Sequence, residues 1–348
     1  MKKKVALIFG VTGQDGSYLS KFLLKKNYLV FGVKRRNSSV VTSRLDEIYL
    51  EPHEASNFKM YYGDLSDYSS IYEIIKKINP HEIYNLAAQS HVAISFQIPN
   101  YTMDINALGA TRILEAIKNL KLKCKFYQAG SSEMFGDVLE VPQNEKTPFN
   151  PVSPYAVSKV SAHWTTICYR EAYKIFASNG ILFNHESPLR GENFVTRKIV
   201  RALVRIKRNK QKKLYLGNLY AKRDWGHAQD YVEAQWLILQ AKKPGDYVIS
   251  TGKQYSIKQF VNIVCKQLKI NITWKGKGIK TVAYLKNNNG KKRIIISCDK
   301  RYFRPHDVNS LIGDCNKARK ELKWKPKISL NMMIKEMIDF EIKNLNKI

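Results

Sequence analysis

The chain has 348 residues, a 44% hydrophobic content and a formal net charge of +30, enough for one large domain or two of moderate size. Its apolar runs are too short for a signal sequence or membrane span, and its five scattered cysteines lack Cys-x-x-Cys spacing. We therefore expect a cytoplasmic protein with reduced structural thiols, no membrane partner and no bound metal.

The strong positive charge raises the alternative of a basic nucleic-acid-binding protein. The excess lysines, however, are spread along the whole chain, and only residues 205–213 and 291–293 form denser clusters. The first cluster continues a predicted helix that begins near Lys198, and a solvated helix face explains it. An anionic small substrate would also benefit from this charge, so we expect no nucleic-acid partner.

The N-terminal region predicts a strand over residues 4–9, a glycine-rich turn and a helix over residues 18–26. Its glycines follow the spacing G-x-x-G-x-x-G, which in this context is typical of dinucleotide binding. Gly10 permits the tight turn, Gly13 lets the backbone approach a diphosphate, and Gly16 lets the helix pack closely on the strand. The start of the helix would face the phosphates.

A second strand is predicted over residues 29–33, and Lys34-Arg35-Arg36 follow it. NAD-binding proteins usually have an acidic residue here, which binds the ribose 2′-hydroxyl. Arginines suit a 2′-phosphate instead, so the sequence predicts NADP. The alternative is that Arg35 and Arg36 belong to the general basic excess.

Further strands alternate with helices up to about residue 185 and predict a doubly wound parallel (Rossmann) sheet of the α/β class. The predicted strands cover residues 59–62, 82–85, 125–129 and 181–183, and a long helix is predicted over residues 101–119. Ligands bind at the carboxyl ends of such strands. Asp64 could there accept a hydrogen bond from an adenine amino group, and the small residues 86–90 could lie against a nicotinamide ribose.

Tyr155 and Lys159 are four residues apart, and Pro154 would open a helix that presents both on one face. A phenol with an ordinary pKa of about 10 is a poor base at neutral pH, and a neighbouring ammonium would lower the pKa of Tyr155. Ser131, at the end of the strand over residues 125–129, could orient the same oxygen or a substrate oxygen. The alternative for a Tyr-x-x-x-Lys pair alone is a solvated helix face.

The second half is less regular and is predicted to form a smaller α/β substrate domain. We expect residues 1–185 to bind NADP and residues 186–348 mainly to bind substrate, with some chain crossing back and one shared cleft. Arg223 and Arg304 could hold a diphosphate through their planar forks. A helix capped by Ser256 should run to residue 268, and an amphipathic helix should cover residues 330–345.

These motifs resemble those of extended short-chain dehydrogenases/reductases that act on nucleotide sugars. Over nearly the whole chain the sequence is similar to the GDP-mannose 4,6-dehydratase family, with the longest strings at residues 12–19, 88–92, 180–188, 193–198 and 222–228. The resemblance implies dehydration of GDP-mannose to GDP-4-keto-6-deoxy-mannose, with hydride passing from C4 to C6 through bound NADP.

Glu133 distinguishes a dehydratase from an epimerase on chemical grounds. Both enzymes oxidise the sugar at C4, but a dehydratase must also remove the C5 proton and expel the C6 hydroxyl, which requires a second acid/base group. Glu133 follows Ser131 by two residues and could reach over the sugar. The alternative is a surface carboxylate.

The resemblance also implies roles for individual residues. Catalytic roles fall on Ser131, Glu133, Tyr155 and Lys159. Cofactor contacts fall on Gly10, Thr12, Gly13, Gln14, Asp15, Gly16, Arg35, Arg36, Asn37, Ser38, Asp64, Leu65, Leu86, Ala87, Ala88, Gln89, Ser90, Tyr101, Lys159, His185 and Arg190. Substrate contacts fall on Ser90, Asn184, Lys198, Gly217, Arg223 and Arg304. Two positions depart from the family: Ser131 replaces a common Thr, and Leu189 replaces a common basic residue.

The resemblance further implies a homodimer or homotetramer in which residues 35–39 cross between subunits. Spacing alone does not identify the nucleotide base that is bound. A nucleotide-sugar 4-epimerase, or a dehydratase for another nucleoside diphosphate sugar, is therefore the alternative within the same class. A basic nucleic-acid-binding protein on a Rossmann scaffold is the alternative from another class.

Overall fold

The computed structural model describes residues 3–37, 42–49, 57–286 and 292–346. The strands in chain order are β1 (Val5–Phe9), β2 (Leu29–Lys34), β3 (Phe58–Tyr62), β4 (Glu82–Asn85), β5 (Lys125–Ala129), β6 (Phe176–Leu182), β7 (Asn184–Glu186), β8 (Leu214–Leu216), β9 (Lys222–His227), β10 (Asp246–Ile249), β11 (Gln254–Ser256), β12 (Ile272–Lys275), β13 (Val282–Lys286) and β14 (Lys292–Cys298).

The α-helices in chain order are α1 (Gln14–Lys25), α2 (Tyr68–Ile78), α3 (Val92–Ser95), α4 (Pro99–Met103), α5 (Gly109–Asn119), α6 (Pro154–Tyr173), α7 (Val195–Lys207), α8 (Ala228–Gln240), α9 (Ile257–Gln267), α10 (Asn316–Glu321) and α11 (Leu330–Leu345). None of the helices in the described part of the chain is long and apolar enough to cross a membrane.

Seven parallel strands form the central sheet in the order β3-β2-β1-β4-β5-β6-β10. Successive residues of β1 alternate between two cores: Ala6 and Ile8 pack with α1 and α8, while Leu7 and Phe9 pack with α2 and α5. Because side chains alternate along a strand, an uninterrupted apolar strand needs cover on both faces. The predicted doubly wound parallel sheet is therefore confirmed.

The second half forms a smaller α/β region around its own core. Two small sheets have the orders β11-β9-β7 and β12-β13-β14-β8, and apolar residues of α7, α9 and α11 pack together beside them. α8 and β10 instead return to the central sheet, where β10 pairs with β6. The division of roles between residues 1–185 and 186–348 stays a prediction.

Several element boundaries agree with the sequence. β4, β5 and α11 have the predicted ends. Pro154 is the first residue of α6, with the Ser153 hydroxyl accepting from the Ala156 N–H, and Ser256 caps α9 in the same way through the Gln259 N–H. A side-chain oxygen before the first turn satisfies an N–H that the helix itself leaves unpaired.

The long helical segment predicted over residues 101–119 is present and ends at Asn119. It contains a π-helical turn, Asp104–Leu108, where Arg112 donates to the Asp104 carbonyl and carboxylate. Other boundaries were wrong. β6 begins at Phe176 and α1 at Gln14, both earlier than predicted. α7 ends at Lys207, so the basic cluster at residues 205–213 extends beyond it. Residue 291 of the second cluster lies outside the described residues.

Candidate active site

A cavity of about 1230 Å³ lies at the carboxyl ends of the central strands and extends between the two halves of the chain. It is lined by the four predicted catalytic residues, by all six predicted substrate residues and by all but three of the predicted cofactor residues. Arg36 and Asn37 do not line it, and Ser38 lies outside the described residues. The fold therefore brings side chains that are far apart in sequence to one cleft.

The glycine turn forms a close-fitting cradle at one end of the cavity. Gly10 has φ +81°, and a Cβ there would lie 2.7 Å from the Ala87 nitrogen, so this position suits glycine. A Cβ on Gly16 would lie 2.4 Å from the Gly10 oxygen. Gly13 is the N-cap of α1 and brings no side-chain cap. The N–H groups of the first turn therefore remain available to an anion, which fits a dinucleotide diphosphate.

The basic residues after β2 have different positions. Lys34 and Arg35 line the cavity, and Arg35 donates to the Tyr101 hydroxyl. The Arg36 guanidinium instead lies over the Tyr62 ring at 5.5 Å from its centre. This cation–π contact draws Arg36 away from the cavity wall where a cofactor contact was expected. Asp64 lines the cavity, and its carboxylate already accepts from the Ser66 N–H and hydroxyl.

Ser131, Glu133 and Tyr155 converge after β5. Ser131 caps the 3₁₀ turn Ser132–Phe135 by accepting from the Glu133 N–H at 3.2 Å, and this turn places the Glu133 side chain in the cavity wall. The Ser131 side chain also hydrogen-bonds Tyr155. Lys159 follows Tyr155 by one helical turn, and its Nζ donates to the Ala129 carbonyl at 2.9 Å.

The expected lowering of the Tyr155 pKa is not found. Burial raises the pKa of Tyr155 to about 12, the Ser131 hydrogen bond counteracts part of this rise, and the Glu133 charge adds to it. Burial also lowers the pKa of Lys159 to about 8. The Lys159 nitrogen lies 5.9 Å from the centre of the Tyr155 ring and is bonded to a backbone carbonyl. Desolvation of the phenolate therefore outweighs the ammonium in this structure.

Glu133 is only 6% exposed and faces two guanidinium groups. Its Oε1 lies 3.4 Å from Arg304 Nη1 and 4.0 Å from Arg223 Nη2. Asp307 joins the group, with its Oδ1 3.2 Å from Arg223 and 3.6 Å from Arg304. The two arginines thus lie together as expected, and both carboxylates compete with any diphosphate for them.

Several residues around the cavity were missed by the sequence analysis. Arg44 donates to the carbonyls of Thr12 at 3.0 Å and Leu189 at 2.9 Å, and so joins the glycine turn to the second half. The side-chain amide of Asn106 accepts from the Gln89 backbone N–H and donates to the Gln89 backbone carbonyl. No pattern near Arg44 or Asn106 indicates these roles. Asp307 lies three residues after Arg304, which is a predicted substrate residue.

Two predicted substrate residues have surroundings that suit a polar ligand. Lys198 Nζ lies 3.3 Å from the centre of the Tyr302 ring, and burial lowers the pKa of Lys198 to about 8. Asn184 Oδ1 is buried and has no hydrogen-bond partner among the described residues. A buried acceptor without a partner is costly, so a ligand donor at this point would be favourable. Within the described ranges, no cluster of three or more His, Cys, Asp or Glu residues could hold a metal ion.

Comparison with known proteins decides the family. The family model described as GDP-mannose 4,6 dehydratase matches residues 7–337. The chain belongs to the GDP-mannose 4,6-dehydratase family. A relative from Vibrio cholerae serotype O1, named GDP-mannose 4,6-dehydratase, is 53% identical over 348 residues, which cover 97% of this chain and 93% of the relative. This member of the family is therefore assigned to the hydro-lyase class, as the sequence predicted.

Solved structures with the same fold are more distant in sequence. The UDP-glucose 4-epimerase of Thermotoga maritima, solved with UDP-glucose, has a TM-score of 0.80 at 23% identity and covers 98% of this chain and 99% of its own. The dTDP-glucose 4,6-dehydratase of Bacillus anthracis, in complex with NAD, has a TM-score of 0.80 at 21% identity and covers 99% and 98%. At such identities the likeness shows the fold of this GDP-mannose 4,6-dehydratase family member and no more.

Proposed function

We propose that this chain dehydrates GDP-mannose to GDP-4-keto-6-deoxy-mannose, using NADP that is regenerated in each turnover. The observation that carries the proposal is the convergence of Glu133, Ser131 and Tyr155 in one cavity beside the glycine cradle. An acid/base carboxylate next to a phenol is what separates loss of water from simple oxidation at C4.

The chain's own groups have distinct tasks in this reaction. Tyr155 would accept the C4 hydroxyl proton while its hydrogen bond to Ser131 keeps the phenol aligned. Glu133 would take the C5 proton, which the C4 ketone makes acidic, and pass it to the departing C6 hydroxyl. The proton taken by Tyr155 balances the one returned to C5, so the net change is loss of one water. NADP, when bound, would supply the hydride acceptor and donor for the transfer from C4 to C6.

The high pKa of Tyr155 has a direct consequence for the first step. A phenol with a pKa of about 12 is protonated at neutral pH and must be made more acidic before it can act as a base. Lys159 could contribute, because its Nζ lies 5.9 Å from the centre of the Tyr155 ring and its ammonium could exchange the Ala129 carbonyl for the phenol oxygen.

The preference for NADP over NAD rests on the residues after β2. Lys34 and Arg35 line the cavity, and residues 34–37 contain no carboxylate that would repel a 2′-phosphate. Arg36 lies over Tyr62, so it would have to leave that ring to contribute. Binding titrations with NADP and NAD test the preference, and tighter binding of NAD would contradict it.

The proposed assembly is a homodimer or homotetramer, and an apolar surface on two helical segments supports it. Leu108, Val157, Trp164 and Tyr173 are all large and exposed, with Trp164 57% exposed. Val157 and Trp164 are seven residues apart and so lie on one face of α6. A second copy of this chain would cover this surface. Analytical ultracentrifugation tests the prediction, and a monomer at micromolar concentration would contradict it.

We place the reaction in the cytoplasm, because the five cysteines are free and free thiols are typical of a reducing compartment. We also propose that nucleic acid is not a partner. Retention on nucleic acid that falls steeply with salt, together with no binding of NADP, would instead favour the basic nucleic-acid-binding alternative.

The test of the proposed function is a single-turnover assay with GDP-mannose and the variant Glu133→Gln. We expect this variant to reduce bound NADP, visible as reduced-nicotinamide absorbance, but to form product about 10²–10⁴-fold more slowly than the wild type. The matched control is Tyr155→Phe, which should not reduce the cofactor at all. Full product formation by Glu133→Gln would show that the acid/base role lies elsewhere.

Substrate choice is tested in the same assay with UDP-glucose and dTDP-glucose. We expect loss of water from GDP-mannose only. Conversion of the other two sugars without conversion of GDP-mannose would favour the epimerase, or a dehydratase for another nucleotide sugar.

A further inference from the structure

Both ring nitrogens of His185 face hydrogen-bond acceptors. Its Nδ1 lies 2.8 Å from the carbonyl oxygen of Phe183, and its Nε2 lies 2.7 Å from Oδ2 of Asp15. A backbone carbonyl can only accept, so Nδ1 must carry a proton, and an ionised carboxylate also only accepts, so Nε2 must carry a second one. When Asp15 is ionised, this geometry places a proton on each ring nitrogen and makes His185 an imidazolium.

The surroundings of Asp15 keep its carboxylate ionised. Burial alone would raise the pKa of Asp15, but the charge and hydrogen bond of His185, with a hydrogen bond from Gln14, lower it to about 2. Gln235 of α8 also donates to Oδ2 at 3.1 Å. With two or more donors directed at it, the carboxylate has no need of its own proton.

The remaining groups around His185 do not replace Asp15 as its partner. Arg190, from the loop after β7, has a charge that lowers the pKa of His185. Tyr231 of α8 stacks on the ring with centres 4.5 Å apart, and burial keeps its pKa well above 10, so it is neutral. Burial also lowers the pKa of His185, but Asp15 outweighs both effects and raises it. The two residues form a half-buried ion pair, and the neutral Tyr231 ring stacks against its imidazole.

Asp15 has an unusual place for a charged residue. It is the second residue of α1, between Gly13 and Gly16 of the glycine turn, and it lines the cavity. The N-terminus of α1 attracts the diphosphate of a dinucleotide, but an uncompensated carboxylate at this position would repel it. A cation paired with Asp15 removes that repulsion.

We propose that His185 is a positioning residue whose imidazolium neutralises Asp15 beside the glycine turn, so that the turn accepts an anionic diphosphate. The pair also joins the start of α1 to β7 across 170 positions of sequence. This inference rests on the cofactor site of the proposed function and assigns His185 a task beyond direct contact with the cofactor.

The test is a double-mutant cycle on NADP binding with His185→Gln, Asp15→Asn and the double variant, measured by calorimetry. His185→Gln keeps an amide donor but removes the charge and leaves Asp15 uncompensated, so NADP should bind at least roughly tenfold more weakly. The same substitution should cost much less in the Asp15→Asn background. An equal or larger loss there would indicate a merely structural role and overturn the proposal.

A ligand control separates charge from shape. Adenosine 2′-monophosphate keeps the 2′-phosphate of the adenosine end but has no phosphate at the 5′ position that would lie at the glycine turn, so we expect it to bind the wild type and His185→Gln with similar affinity. A parallel loss for both ligands would show that His185→Gln disturbs the whole site and would contradict the proposed mechanism.

A second readout needs no cofactor. With ¹⁵N-labelled histidine, the NMR signals of His185, assigned by their loss in His185→Gln, should show both ring nitrogens protonated at neutral pH. A neutral ring there overturns the inference. If His185→Gln does not fold, the His185 signals are assigned by sequential NMR experiments on the wild type, so the charge of the ring is decided in either case. In binding, NADP affinity of the wild type should fall as pH rises through the raised pKa of His185. If the wild type does not bind NADP at all, the proposed function is rejected, while the spectrum still decides the charge of His185.

Discussion

Replacing two glycines of the same turn by alanine should affect different properties: stability at Gly16 and NADP binding at Gly13. A Cβ on Gly16 would lie 2.4 Å from the Gly10 oxygen and 2.6 Å from the Val11 Cα. Both are backbone atoms of the strand-to-helix turn, so no flexible side chain can move aside. A Cβ on Gly13 would meet only the Gly10 oxygen, at 3.2 Å, and the φ of Gly13 is an ordinary −73°.

The contact distances set the size of the effect. Relieving the Gly16 overlap requires the start of α1 to move by about 1 Å, and overpacking of this kind costs about 1–3 kcal/mol. The better helix propensity of alanine returns at most about 1 kcal/mol. We expect Gly16→Ala to lower the unfolding free energy by about 1–2 kcal/mol, equivalent to roughly 2–6 °C in melting temperature.

Gly13→Ala should keep its stability to within about 0.5 kcal/mol, yet bind NADP roughly tenfold more weakly, because its methyl group would stand where a diphosphate approaches the backbone. Urea unfolding and NADP titration on both variants check the contrast. Wild-type stability of Gly16→Ala, or an equal loss of stability in both variants, would refute the assignment of a packing role to Gly16 and a ligand-approach role to Gly13.

Two further predictions concern pH and the join between α6 and the central sheet. Burial lowers the pKa of Lys159 to about 8. Because the ammonium is lost as pH rises through that value, kcat/KM for GDP-mannose should fall there. A pH–rate profile that stays flat up to about pH 10 would contradict this role of Lys159. Arg170 donates two hydrogen bonds to Asp246 at the start of β10, so Arg170→Ala should cost about 2–4 kcal/mol in urea unfolding. Burial raises the pKa of Asp246, but Arg170 outweighs burial and leaves that pKa below its usual value. The pair therefore stabilises the protein above the pKa that Asp246 has in the unfolded chain, and this stability is lost as pH falls through the lower pKa of Asp246 in the folded state. The difference in unfolding free energy between Arg170→Ala and the wild type should therefore decrease at acidic pH. A difference that does not change with pH would contradict the assignment.

The fold could be predicted because its signals are local. Short apolar strands bounded by glycine or polar turns fix β1, β4 and β5 within a residue or two, and strand–helix alternation then implies a parallel sheet. The edge strand β10 was not predicted. It follows a long excursion of the chain, and a strand of four residues has no local feature that identifies the sheet it joins.

The candidate site was predictable where its residues follow strand ends, as Ser131 and Glu133 follow β5. It was not predictable where distant residues meet. Arg44 reaches Leu189 across 145 positions of sequence, and Arg36 turns to Tyr62 instead of the cavity. The pKa of Tyr155 also depends on burial that only the folded chain creates. Residue spacing carries no information on such desolvation.

The pairing of β10 with β6 limits where this chain can be truncated or recombined. A fragment that ends near residue 185 would leave the β6 edge bare, together with the sheet surface that α8 covers. Exposed strand edges of this kind recruit other chains, so the fragment should aggregate instead of folding alone. The two halves of the chain therefore share one sheet. A chimaera between two relatives should fold only when residues 228–249 come from the same parent as the N-terminal part.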